Sequence, residues 1–198
     1  MRDDLEMERS GSASGYGADM HAHLRAFQAH WAEARRGASV PYRAHIDPGR
    51  IAPLLPNAFV AERIAPGVTR LRIAGMHLNE LMGMEVRGMP LCSFIAPASR
   101  EAFALGLVEL FDRPATLHMD LRSPAGPGQP DLLATLVMLP LRSDLGDVSR
   151  ALGCLVTAGS AGRTPRRFDI VNTRIMPVDE DLAPDALRVV AGGRKAWT

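Results

Sequence analysis

The sequence predicts an α+β fold, and three observations carry that prediction. Residues 59–75, "FVAERIAPGVTRLRIAG", read as two strand arms around a Pro-Gly turn. Residues 76–113 carry short helical pieces, broken by Gly83, Gly88 and Pro90, and then one longer helix. Three further strand candidates follow, separated by turn-rich loops. Strands, then helices, then strands place helices on a sheet rather than between parallel strands.

Each element has its own justification. Residues 1–19 have linker composition at "SGSASGYG" and are expected to be flexible, with Asp19 as a candidate cap. Residues 20–37 form an amphipathic helix whose stripe is Met20, Leu24, Phe27 and Trp31, with Gly37 at its stop. One short helix does not bury such a stripe alone, so it must dock on the domain or on a second copy. In "PYRAHIDPGRIAPLLPNAF", Pro41, Pro53 and Pro56 forbid a long regular element, and Asp47-Pro48-Gly49 marks a turn. The hairpin turns at Pro66-Gly67, with Thr69, Leu71 and Ile73 on one side of its second arm and Arg70 and Arg72 on the other. Ser99 is placed to cap the longer helix, which buries Phe103, Leu107, Leu110 and Phe111. The first late strand alternates Ala115, Leu117, Met119 and Leu121 with Thr116, His118, Asp120 and Arg122. The second, "LLATLVMLPL", is apolar on both faces and belongs in mid-sheet; the third is "ALGCLVTAG". The core domain therefore spans residues 41–160, and residues 161–198 form an extension with one strand-like piece, "FDIVNTRI", and an end expected to be poorly ordered.

Composition narrows the function classes. Hydrophobic residues make up 46% of 198, enough for a real core. Lys+Arg 23 against Asp+Glu 22 gives no electrostatic reason to expect nucleic acid, and Lys195 is the sole lysine. The charged start "MRDDLEMERS" lacks an apolar leader, and no stretch is apolar for long enough to span a membrane, so a cytoplasmic protein is the expectation. Cys92 and Cys154 stand far apart, without a redox pair or zinc-knuckle spacing. No P-loop, G-x-S-x-G, H-E-x-x-H or dinucleotide fingerprint is present, so the expectation is a protein that is not an enzyme.

The order of elements resembles that of a PAS domain. The likeness is carried by "RLRIAGMHLNELMGMEVRGMPLCSFIAP", in which Gly75, Leu78, Leu81, Gly83, Glu85 and Gly88 stand at the turn and short-helix positions. With Trp31 and the lead-in "IDPGRIAPLLP", the stretch from about 20 to 160 resembles the short single-PAS proteins common in alphaproteobacteria. The resemblance implies a five-stranded antiparallel sheet with short helices on one face and a flanking N-terminal helix. It also implies a sensory or signalling role, a pocket under the helices, dimerisation through the flanking helix, and a signalling protein partner. Fold alone does not confer any of these.

Candidate residues follow. Met76, Leu81, Phe94, Phe103 and Leu107 are expected to line a ligand pocket, and Met20, Leu24, Phe27 and Trp31 to carry an interface. Met82, Met84 and Met89 crowd the same pocket segment, as gap-filling core or adaptable lining. Cys92 falls near the flavin-bonding cysteine of light-oxygen-voltage PAS domains, whose motif resembles Asn-Cys-Arg-Phe-Leu-Gln. Here the run is Leu91-Cys92-Ser93-Phe94-Ile95-Ala96, without the Asn, the Arg or the Gln, and the last two core strands carry no amide. A flavin ring edge would go unpaired there, so flavin is not expected and Cys92 reads as a structural thiol. Haem is not expected either: residues 99–112 hold no histidine, and His77 and His118 read as capping or surface groups. His21, His23 and His30 read as a solvated helix face rather than a metal set, and no metal is expected. Arg163, Arg166 and Arg167 read as a solvated basic turn. The reading that unites these residues is a cytoplasmic, dimeric signalling module gated by an unidentified small ligand. Its rivals are a purely structural interaction domain and a small-molecule carrier or enzyme on a similar curved sheet.

Overall fold

The computed structural model describes residues 20–178 and 188–189; the expectations for residues 1–19 and for the far end of the chain lie outside them. The described chain contains helix α1 (20–34), strands β1 (Ala58–Ala65) and β2 (Val68–Ala74), and helices α2 (Met76–Met82) and α3 (Arg100–Asp112). Strands β3 (Ala115–Ser123), β4 (Leu132–Arg142), β5 (Val148–Ala158), β6 (Asp169–Pro177) and β7 (Arg188–Val189) complete it. Short 3-10 turns occupy Arg43–His45, Pro48–Asn57, Leu91–Phe94 and Pro97–Ser99.

All seven strands join one antiparallel sheet in the order β2-β1-β5-β4-β3-β6-β7. The five predicted strands form one side of it, with "LLATLVMLPL" in mid-sheet as β4. The extension adds β6 and β7 beyond β3, so the expected five-stranded sheet is extended to seven. The alternation predicted for β3 holds: Ala115, Leu117, Met119 and Leu121 are buried, and the residues between them are less so.

Helices cover both faces of the sheet. On the inner face, α2, the Leu91–Phe94 turn and α3 bury Leu78, Leu81, Phe94, Phe103 and Leu107 against Leu117, Leu136 and Leu155. Gly75 starts α2 where a Cβ would meet the Pro56 carbonyl oxygen at 2.2 Å, so only glycine fits that crossing. Gly153 of β5 likewise leaves room for the Phe59 ring, whose Cζ sits 2.1 Å from where its Cβ would be. On the outer face, α1 lays Leu24, Phe27 and Trp31 onto Leu139, Leu152, Cys154 and Val156. The Trp31 indole N–H donates to the Pro140 carbonyl at 2.8 Å.

Several expectations are corrected. Ile73 does not share a face with Thr69 and Leu71. Between the pairs Ala61–Leu71 and Val60–Ile73 the β2 strand carries one extra residue, and this bulge turns Ile73 onto the outer face, 49% exposed. Ser99 sits at the start of α3 without capping it; its hydroxyl instead accepts from the Ile170 N–H at 3.2 Å. His30 is not on a solvated face: it is 4% exposed and accepts from the Asp47 N–H through Nε2. Arg166 is not part of a solvated turn. It is fully buried and donates to the carbonyls of Ala161, Ser123 and Pro130, while Arg163 and Arg167 are exposed.

Candidate functional site

The residues expected to line one pocket separate in the structure. Leu81, Phe94, Phe103 and Leu107 stay together in the inner core, each no more than 1% exposed and in contact with their neighbours. Met76, at the first position of α2, points away from them and is 68% exposed. Met82 is buried, Met84 is exposed, and Met89 packs at the core's edge.

The inner faces of β4 and β5 present Leu132, Ala134, Leu136, Met138, Ala151 and Leu155, together with Thr157, which lies opposite Ala134 and has its hydroxyl engaged with His77. Cys92 lies half-buried beside this core, and Cys154 is buried on the outer face, where desolvation pushes its thiol up to about 12. Neither histidine considered for an axial role joins the inner cluster. His77 stands within 3.0 Å of the Thr157 hydroxyl, and His118 within 2.8 Å of the Gln28 amide of α1. Among the described residues no three His, Cys, Asp or Glu side chains group as metal ligands.

His118 belongs to the α1 docking surface rather than to an exposed one. Burial, reinforced by Arg174 and opposed by Asp120, pulls its imidazole down to about 4. Burial and Arg50 also lower His30, against Asp47 and Glu33, which suits a neutral ring accepting through Nε2. Both rings therefore hold α1 in the uncharged form at neutral pH. A lowered folded value means that the unfolded chain takes up protons first, so stability present above pH 6.5 is lost as the pH falls toward 4. Unfolding in urea at pH 7.5 and 4.5 is expected to show His118→Leu losing about 1–3 kcal/mol less than the parent across that span. Equal losses in both proteins would refute this role for His118.

Among the described residues two concave surfaces stand out, one on the outer face and one that runs from α1 round the end of the sheet to α2. The larger is a groove of about 1410 Å³ between the start of α1, the start of α2 and the uncovered ends of the strands. Met20, Leu55, Met76, Leu133 and Val171 make it apolar, and Leu133 and Val171 are 53% and 65% exposed. His77, Glu80 and Asp120 supply its polar margin, where Asp120 accepts from the Asn172 amide at 3.1 Å. The smaller is a cavity of about 410 Å³ beneath the Pro-rich segment 43–55, floored by Ala58, Val60, Ile73, Leu141 and Leu152. Of the expected interface residues, Leu24, Phe27 and Trp31 pack on the chain's own sheet, while Met20 remains at the groove.

Sequence reasoning missed the Gln28–His118 contact and the small cavity. The first joins residues 90 positions apart with no local pattern, and the second depends on the bulge that reorients Ile73. The buried role of Arg166 has one trace in the sequence, the flanking Pro165 and Phe168, which break the look of a solvated basic run.

The family model described as a PAS domain matches residues 19–156. A solved structure described as "Flavin Analogue Sheds Light on Light-Oxygen-Voltage Domain Mechanism" is similar at 16% sequence identity. The match covers 57% of this chain and 84% of that one, with a TM-score of 0.41. No curated protein matches the chain.

Proposed function

Because this chain belongs to the PAS domain family, whose members are in general sensory and signalling modules, we propose that it is a non-enzymatic signalling module that works by protein–protein contact. The observation that carries the reading is the larger groove. Met76, Leu133 and Val171 are large apolar side chains, each more than half exposed, gathered in one concavity beside α1. Apolar groups gathered in this way mark a surface that another molecule covers. The occupant proposed is a second copy of the chain. With a formal net charge of +1, two copies approach without appreciable mutual repulsion, and the groove carries both histidine and carboxylate margins.

Signalling then follows from a shift in population. The groove is built partly by the first turn of α1, at Met20, His21 and Leu24. Any ligand that favours one seating of α1 also favours one shape of the groove, and so changes the contact made there. Among the described residues no helix is long and apolar enough to cross a membrane.

Sedimentation of the full chain tests the reading. The parent is expected to run as a dimer, and Leu133→Glu with Val171→Glu as a folded monomer, because both side chains are solvent-facing. A parent that stays monomeric at high micromolar concentration, or a double variant that still dimerises, would overturn the groove as the self-association surface.

A further inference from the structure

The small outer cavity is a separate site, and its construction is specific. Pro48, Pro53 and Pro56 hold residues 48–57 in 3-10 turns, interrupted by a kink at Ile51. The segment packs Ile51 and Leu54 onto the outer face of the sheet and leaves Leu55 partly exposed. Beside it the bulge in β2 brings Ile73 to the same face as Val60, its cross-strand neighbour. Val60, Ile73, Leu141 and Leu152 line one side of the cavity, and Ile46, Ile51 and Leu55 the other. The resulting volume, about 410 Å³, falls in the range of small-molecule sites.

Its lining contains a single charged side chain, Arg43, and no acid. Arg43 is exposed, so it stands at the solvent side of the cavity, and its guanidinium has no ion pair or hydrogen bond among the described residues. Other arginines nearby are engaged: Arg50 pairs with Glu33 at 2.5 Å, Arg72 pairs with Glu62, and Arg142 donates to the Gly146 carbonyl. An apolar chamber with one uncommitted cation at its mouth is complementary to a ligand with an apolar body and one negative end.

We propose that this cavity binds an amphipathic monocarboxylate, its hydrocarbon body over Val60, Ile73, Leu141 and Leu152 and its carboxylate on Arg43. The inference gives a place to the ligand-gating half of the signalling reading and rests on that reading only for its consequence. Binding and self-association are read in separate experiments, so one can fail without the other.

Calorimetric titration of the full chain at pH 7 with octanoate, 1-octanol and acetate is the test. Octanoate is expected to bind more tightly than 1-octanol, and acetate not to bind. Arg43→Gln should weaken octanoate by roughly three- to tenfold and leave 1-octanol unchanged, as suits a charge-assisted contact at an exposed position. Ile73→Trp places a large ring over the chamber from a half-exposed position and should abolish binding of both; a melting curve confirms that it remains folded. Three results would overturn the proposal: no octanoate heat at millimolar concentration, equal affinity for octanoate and octanol, or affinities that neither folded variant changes.

Discussion

Trp31→Ala is expected to lower the unfolding free energy by about 3–5 kcal/mol, the range for emptying a buried aromatic site. The indole is 3% exposed and packs among Leu24, Phe27, Leu139 and Leu152, so no solvent is ready to fill the void. Its loss also orphans the Pro140 carbonyl, which accepts the indole N–H at 2.8 Å, and removes the ring beneath the Arg35 guanidinium, 5.8 Å from its centroid. Trp31→Phe separates these contributions. It keeps most of the apolar burial and gives up the hydrogen bond, for a loss of about 1–2 kcal/mol. Urea unfolding followed by circular dichroism measures both. A loss below about 1 kcal/mol for Trp31→Ala would mean that α1 is not docked on the sheet in solution.

Arg166→Met should be nearly as damaging, at about 2–5 kcal/mol, because the side chain is the shared donor to several buried acceptors. Its Nη1 donates to the Ala161 carbonyl at 3.2 Å, and its Nη2 to Ser123 at 3.1 Å and Pro130 at 2.7 Å. The main-chain N–H of Arg166 donates to the Leu81 carbonyl at 2.8 Å, which ties the extension to α2. No carboxylate pairs with the guanidinium among the described residues, so its charge is balanced by carbonyl dipoles alone. Methionine matches the length and removes every donor. Arg166→Lys keeps the charge as a single ammonium, which does not reproduce the planar fork, and should recover only part of the loss. Amide exchange should quicken at Leu132 and in the loop before it. A methionine variant within about 0.5 kcal/mol of the parent would refute the role assigned to Arg166.

What the sequence disclosed was governed by periodicity. The α1 stripe, the β3 alternation and the doubly apolar β4 all register local burial, and local burial leaves a repeating trace. What it hid arises from single departures from a repeat. One extra residue in β2 was enough to send Ile73 to the opposite face, and a strict reading of alternation puts it in the core. Ser99 has the right type and place for a cap, yet its hydroxyl serves β6, seventy-one residues away. Arg166 and His118 look solvated by residue type, and their burial depends on partners at distances of 43 and 90 in the chain. The candidate pocket residues illustrate the same limit. Leu81, Phe94, Phe103 and Leu107 are buried neighbours in the inner core, but Met76 shares their sequence neighbourhood and not their burial. Both concavities described above depend on long-range packing and are invisible to spacing.

The contact between Trp31 and Pro140 joins positions 109 residues apart, and this sets an order of events during synthesis. A ribosome adding about 5–20 residues per second releases α1 roughly five to twenty seconds before β4 is made. Through that interval Leu24, Phe27 and Trp31 have no sheet to cover them, because β4 and β5 supply the surface on which they rest. The helix α1 thus waits for the middle of the sheet to be made before it can dock. Until then its apolar stripe is open to chaperones or to the same helix on a neighbouring nascent chain.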